Sequence, residues 1–159
     1  MNSFFQCCGK TEEHLQPHPL EACLLHRGAL ADFCALQDSA EEQGINLKVA
    51  SAFRSFDRQL TIWNAKARGQ RAVLDDAGRA LEPGSLSEKE LLYAILRWSA
   101  LPGASRHHWG TDLDIYDAAA IKSSDSVQLT LDEYQEGGPF APMHRWLQKA
   151  IMEGRSQGF

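Results

Sequence analysis

The chain changes its hydrophobic period once between Leu20 and Phe53, and that change limits the folds open to it. Apolar residues fall at Ala22, Leu25, Ala29, Phe33, Leu36 and Ala40. These steps of three and four predict a helix from about Leu20 to Gln43, with Gly44 at the position where helices commonly stop. From Ile45 to Phe53 the period becomes two. Ile45, Leu47, Val49, Ser51 and Phe53 share one face, and Asn46, Lys48, Ala50 and Ala52 share the other. That alternation predicts a strand with one buried face. A helix followed at once by a half-buried strand calls for a mixed architecture.

The other segments agree. Ser55 can N-cap a helix from about Phe56 to Ala67 that Gly69 ends. Gln70 to Ser85 reads as a polar loop, long enough for a compact domain to be a candidate for function. Ser87-Glu88-Lys89-Glu90 forms a capping box and opens a helix carrying Leu91, Leu92, Ile95, Leu96 and Trp98, which Pro102-Gly103 closes. A short strand is predicted from about Thr111 to Tyr116, and Leu129 and Leu131 hint at one more. Pro142 to Glu153 reads as a last helix with Met143, Trp146, Leu147, Ala150 and Ile151 inward. Strands mixed irregularly with helices predict an α+β fold over residues 1–159 as a single domain, a small mainly antiparallel sheet flanked by helices.

Composition removes several classes of partner. A net charge of −5 over 159 residues disfavours nucleic acid or an acidic membrane surface, both of which want a basic face. No apolar run approaches the roughly 18 residues of a membrane span. Met1 to Lys10 lacks the basic and apolar regions of a secretory signal. Cys7 and Cys8 are neighbours, and Cys23 and Cys34 fall about 16 Å apart along one predicted helix, too far to bridge. Unpaired thiols without a signal lead to the expectation of a reducing, cytoplasmic setting. His14 and His18 have helical metal-pair spacing, but Pro17 and Pro19 disfavour a helix there, so both are expected at the surface. His26 is expected to be structural or exposed.

The densest chemistry lies in Ser105-Arg106-His107-His108-Trp109-Gly110-Thr111-Asp112-Leu113-Asp114. Imidazole and carboxylate are both zinc donors. Seven extended residues would reach about 23 Å, so His107 and Asp114 can share an ion only if the chain turns between them, and Gly110 is suited to the turn. Beyond it, Asp112 and Asp114 share one strand face, with Leu113 and Ile115 on the other. On spacing alone, a capped loop with solvated aspartates is an equal alternative. A second constellation is Ser51-Ala52-Phe53-Arg54-Ser55-Phe56-Asp57-Arg58-Gln59. Here an arginine at a strand end precedes a helix carrying a glutamine, an arrangement able to form a fork for a carboxylate. An arginine in that place is also a common surface ion-pair partner.

Together the two segments resemble the zinc D-alanyl-D-alanine carboxypeptidases, the M15 peptidases, whose relatives include vancomycin-resistance dipeptidases, L,D-carboxypeptidases and the non-peptidase hedgehog domain. The pattern S-x-x-R-S-x-x-x-Q matches Ser51, Arg54, Ser55 and Gln59, and S-x-H-x-x-G-x-A-x-D matches Ser105, His107, Gly110 and Asp114. The text Ile62 to Lys66 and Arg97 to Gly103 is similar to one bacterial branch, so the resemblance covers nearly the whole chain. It implies the D-Ala-D-Ala carboxypeptidase/hedgehog-like fold, zinc as cofactor, and His107 and Asp114 as ligands. It further implies Arg54, Gln59, Ser55 and Ser105 as substrate-binding residues, and a peptidoglycan-derived peptide ending in D-alanine as partner.

Two departures stand out. Asp112 occupies the pattern's alanine, where an extra carboxylate could tune the metal, although the family's spacing selects Asp114. The family's later Glu-x-x-His or Glu-x-Trp-His element, which supplies the general base and third ligand, has no match after Asp114. Met143-His144-Arg145-Trp146 has the wrong order, and the text from Trp146 to Phe159 resembles what precedes that element. The resemblance therefore implies a chain that stops early and is weakly active or inactive. A non-catalytic peptidoglycan- or partner-binding domain and a phage-lysin-type endopeptidase are the alternatives.

Overall fold

The computed structural model describes residues 4–76, 78–124 and 127–154; the expected tail through Phe159 lies beyond them. The elements in chain order are α1 (Phe4–Cys7), β1 (Leu15–Pro17), β2 (Leu24–His26), α2 (Arg27–Glu41), β3 (Leu47–Ser51), α3 (Phe56–Ala67), β4 (Val73–Leu74) and β5 (Ala80–Leu81). Then come α4 (Glu88–Trp98), β6 (Asp114–Asp117), α5 (Leu131–Tyr134) and α6 (Ala141–Met152). Short 3-10 turns occupy Pro83–Ser85, Arg106–Trp109 and Ala118–Ala120. The strands pair antiparallel as β1–β2, β3–β6 and β4–β5, the mixed α+β composition that the change of period predicts. The backbone forms two compact units. One is built from the described residues of Met1–His14 and Arg54–Trp109, the other from those of Leu15–Phe53 and Gly110–Phe159.

The second unit holds the main apolar core: Leu25, Phe33, Leu36, Ala40, Ile45, Leu47, Phe140 and Met143. Phe33 and Phe140 are wholly buried, and burial of each such side chain contributes on the order of 2–3 kcal/mol. The predicted first helix begins later than its period suggests. Leu24–His26 instead pairs with Leu15–Pro17, and His26 donates its backbone N–H to the Gly110 carbonyl at 2.8 Å. His26 then caps α2, its Nδ1 accepting from the Gly28 N–H at 3.0 Å. Strand pairing has overridden local periodicity here, and Cys23 lies outside the helix that carries Cys34.

The expected strand at Leu129 and Leu131 is also absent. Leu129 takes a left-handed φ of 58°, which extended pairing does not tolerate. The Glu133 carboxylate accepts the Thr130 N–H at 3.0 Å, capping α5 in place of a strand.

In the first unit α3 matches its predicted bounds, with Ser55 as N-cap, and α4 follows the expected Ser87–Glu90 capping box. The long polar loop contains the β4–β5 hairpin, whose Val73 is 1% exposed. Trp98 Nε1 donates to the Asp75 carbonyl at 3.1 Å, and Arg79 pairs with Asp75 at 2.8 Å.

Candidate metal and carboxylate site

Arg54 follows β3 by three residues and leads directly into the cap of α3. Its Nη1 donates to Gln59 Oε1 at 2.9 Å. Gln59 lies one turn into α3, is wholly buried, and donates its Nε2 to the Ala100 carbonyl at 2.6 Å. The second bond fixes the amide: with Nε2 spent on a carbonyl, Oε1 has to face the guanidinium. A glutamine without solvent access thus orients the arginine, which is half-buried. Ser55, expected near the substrate, accepts the Arg58 N–H through Oγ at 3.2 Å, so its side chain is engaged in capping. Ser105 is buried at 3% exposure, and its carbonyl accepts the His108 N–H at 3.1 Å.

The neighbouring histidines have separate roles. His108 is wholly buried. Its Nε2 accepts the Gly103 N–H at 3.0 Å, so the proton sits on Nδ1, which donates to the Arg54 carbonyl. Both ring nitrogens are spent, and no lone pair is left for a metal. Burial lowers the His108 pKa, and the charges of Arg54 and His107 add to that lowering. The Arg54 N–H in turn donates to the His107 carbonyl at 3.1 Å. One motif is therefore pinned to the other through both backbone groups of Arg54. His107 is half-buried on the Arg106–Trp109 turn.

The packing behind this clamp demands glycine at position 9. Gly9 has a φ of +73°, and a Cβ there would lie 2.5 Å from His108 Nδ1 and 2.9 Å from the Phe56 nitrogen. The Gly9 carbonyl meanwhile accepts the Phe56 N–H at 2.9 Å. Sequence reasoning missed both Gly9 and His108. The doubled histidine was the available signal, because it asks for two roles rather than one.

Asp114 belongs to the second unit and opens β6. The β3–β6 register pairs it with Ser51, after a shift between Val49 and Ser51 that bulges the strand; such bulges re-aim side chains at strand ends. Leu113 and Ile115 pack on the core, as the alternation predicts, and Asp112 and Asp114 are half-buried. Gly110 supplies the expected turn with a φ of 71°, and a Cβ there would meet Leu15 Cδ2 at 2.5 Å and the His26 nitrogen at 2.8 Å.

His14 and His18, expected at the surface, are buried at 4% and 5% exposure. The prolines do exclude a helix. The turn they allow folds His18 Nδ1 against the N–H groups of Leu20 and Glu21, both at 3.1 Å, while Nε2 contacts Gln37 Oε1 at 2.8 Å. His144 Nδ1 contacts the Tyr134 carbonyl at 3.2 Å. Among the described residues no group of three His, Cys, Asp or Glu side chains is placed to hold a metal ion.

Residues 22–154 match the VanY family model, D-alanyl-D-alanine carboxypeptidase. The chain belongs to the VanY D-alanyl-D-alanine carboxypeptidase family. Two Haemophilus influenzae proteins, both described as uncharacterized, are similar to it. One is 48% identical over 96 residues, covering 58% of this chain and 66% of that protein. The other is 43% identical over 47 residues, covering 30% and 36%. The chain thus spans just under two thirds of the first relative. Among solved structures, VanYB in complex with D-alanine-D-alanine has a TM-score of 0.55 at 20% identity, covering 85% of this chain and 59% of that one. A vancomycin-resistance D,D-pentapeptidase VanY variant in complex with Zn(II) has a TM-score of 0.53 at 21% identity, covering 77% and 64%. These likenesses establish the fold of the VanY carboxypeptidases for this chain.

Proposed function

We propose that the chain carries the carboxylate-recognition residues and two zinc ligands of a zinc-dependent D-alanyl-D-alanine carboxypeptidase acting on peptidoglycan-type peptides. The observation that carries this reading is the relay Arg54–Gln59–Ala100. A carboxypeptidase must recognise a terminal carboxylate, and a pre-oriented guanidinium does so with paired, charge-assisted hydrogen bonds. Gln59 holds the guanidinium and His108 holds the Arg54 backbone, so little side-chain freedom remains to be lost when the carboxylate docks. Ser105 and Ser55 stand beside them in the motifs as further substrate contacts.

His107 and Asp114 are the proposed zinc ligands. Their donor types suit zinc, which takes at least three protein ligands, yet no third donor joins them among the described residues. The donors among the described residues do not by themselves make up a zinc site. The cysteines are free, and no helix among the described residues is long and apolar enough to cross a membrane. A reducing compartment, where fragments of the cell wall are recycled, fits the free thiols.

Release of free D-alanine from a peptide ending in D-alanyl-D-alanine tests the reading, measured with and without added zinc on the wild type and on R54M. Release that depends on zinc and Arg54 supports it; release insensitive to both refutes it. With no group of three such donors among the described residues, a peptidoglycan-peptide-binding domain without turnover is the second reading. In that case H107A leaves peptide affinity unchanged and no variant releases D-alanine.

A further inference from the structure

We propose that Lys66, flanked by Arg71, forms a second anion-recognition point beside Arg54, which takes an additional carboxylate of the peptide upstream of its terminal D-alanine. This rests on the reading of Arg54 as the receptor for the terminal carboxylate.

Lys66 stands on α3 seven residues after Gln59, so both side chains leave the same helix face. It is 7% exposed. Its Nζ donates to Ser99 Oγ at 2.8 Å, a neutral acceptor that leaves part of its donor capacity unused. Lysines are rarely this buried unless paired. Among the described residues neither Lys66 nor Arg71 has a carboxylate partner. The charges that act on the ammonium are Arg71 and Arg54, and together with burial, the largest cause, they lower its pKa. A buried cation facing other cations is costly to keep, and the same place favours an incoming anion.

The position is coupled to the proposed receptor. Ser99, which Lys66 grips, directly precedes Ala100, which Gln59 grips on behalf of Arg54. The unit built from Met1–His14 and Arg54–Trp109 carries ten Lys and Arg against eight Asp and Glu, although the whole chain has 16 against 21. Positive charge is thus concentrated around α3 in an otherwise acidic chain, an arrangement that draws anionic ligands to that unit.

Calorimetric titration of the full chain with two probes tests the proposal. Both are pentapeptides ending in D-alanyl-D-alanine; one carries a further free carboxylate, and in the other that carboxylate is amidated. The wild type is expected to bind the free form about tenfold more tightly, the scale of one charge-assisted hydrogen bond. K66M is expected to lose that preference and bind the two probes alike. R71M, at an exposed position, is expected to reduce the preference about two- to threefold. Equal binding of the two probes by the wild type overturns the proposal alone. So does a preference for the free form that K66M leaves undiminished. Failure of the wild type to bind either probe overturns the Arg54 reading and the proposal with it.

Discussion

Replacing Gln59 by methionine isolates the relay on which the site depends. Methionine keeps the volume and helix propensity of glutamine, so the change removes polarity with little alteration in packing. Two hydrogen bonds of a wholly buried amide are lost: 2.6 Å to the Ala100 carbonyl and 2.9 Å from Arg54. Leaving a part-buried carbonyl without its donor costs about 1–3 kcal/mol, and losing an acceptor for a charged donor adds about 1 kcal/mol. The sum is about 2–4 kcal/mol. With a urea dependence of about 2 kcal/mol per molar, the unfolding midpoint should fall by about 1–2 M. Peptide affinity should fall as well, because the guanidinium loses its orientation. A Q59M midpoint within about 0.2 M of wild type would show that the amide is not held as described.

Three further outcomes follow. G9A should cost about 2 kcal/mol or more in urea unfolding, since its Cβ would meet His108 and the Phe56 backbone at a φ of +73°; unfolding like wild type would contradict the packing. The depressed Lys66 pKa means that the unfolded chain binds the extra proton up to about pH 10.5, so stability rises with pH toward that value. Relative to K66M, the wild-type urea midpoint should therefore climb as the pH rises toward 10.5, and a flat difference would refute the assignment. For zinc, elemental analysis after metal loading should find H107A and D114N depleted and H144A equal to wild type. Depletion in H144A would make His144 a zinc donor.

Much of the fold was legible because local rules and tertiary context agreed. Ser55 and Ser87 cap the helices that their sequences announce, and Leu113 and Ile115 face the core as alternation requires. The departures arise where distant backbone intervenes. Leu24–His26 gave up the helical period to pair with Leu15–Pro17, a partner that no local window contains. His18 became buried because backbone N–H groups just beyond it turn onto its ring. In the site, the two motifs were readable as patterns, and the structure joins them at Ser51–Asp114 and at Arg54–His107. The division of labour between His107 and His108 was not readable, because it depends on Gly103 and on the Arg54 carbonyl. Lys66 was hidden for a similar reason: its period marks a helix face, but only burial shows that the face carries an uncompensated charge.

Arg54 is the proposed receptor for a terminal carboxylate, and one calorimetric comparison tests that role directly. D-alanyl-D-alanine and its C-terminal amide are titrated into the wild type and into R54M. The wild type should bind the acid at least about tenfold more tightly than the amide, and R54M should bind the two alike. Equal binding of acid and amide by the wild type, or an undiminished preference in R54M, would contradict it.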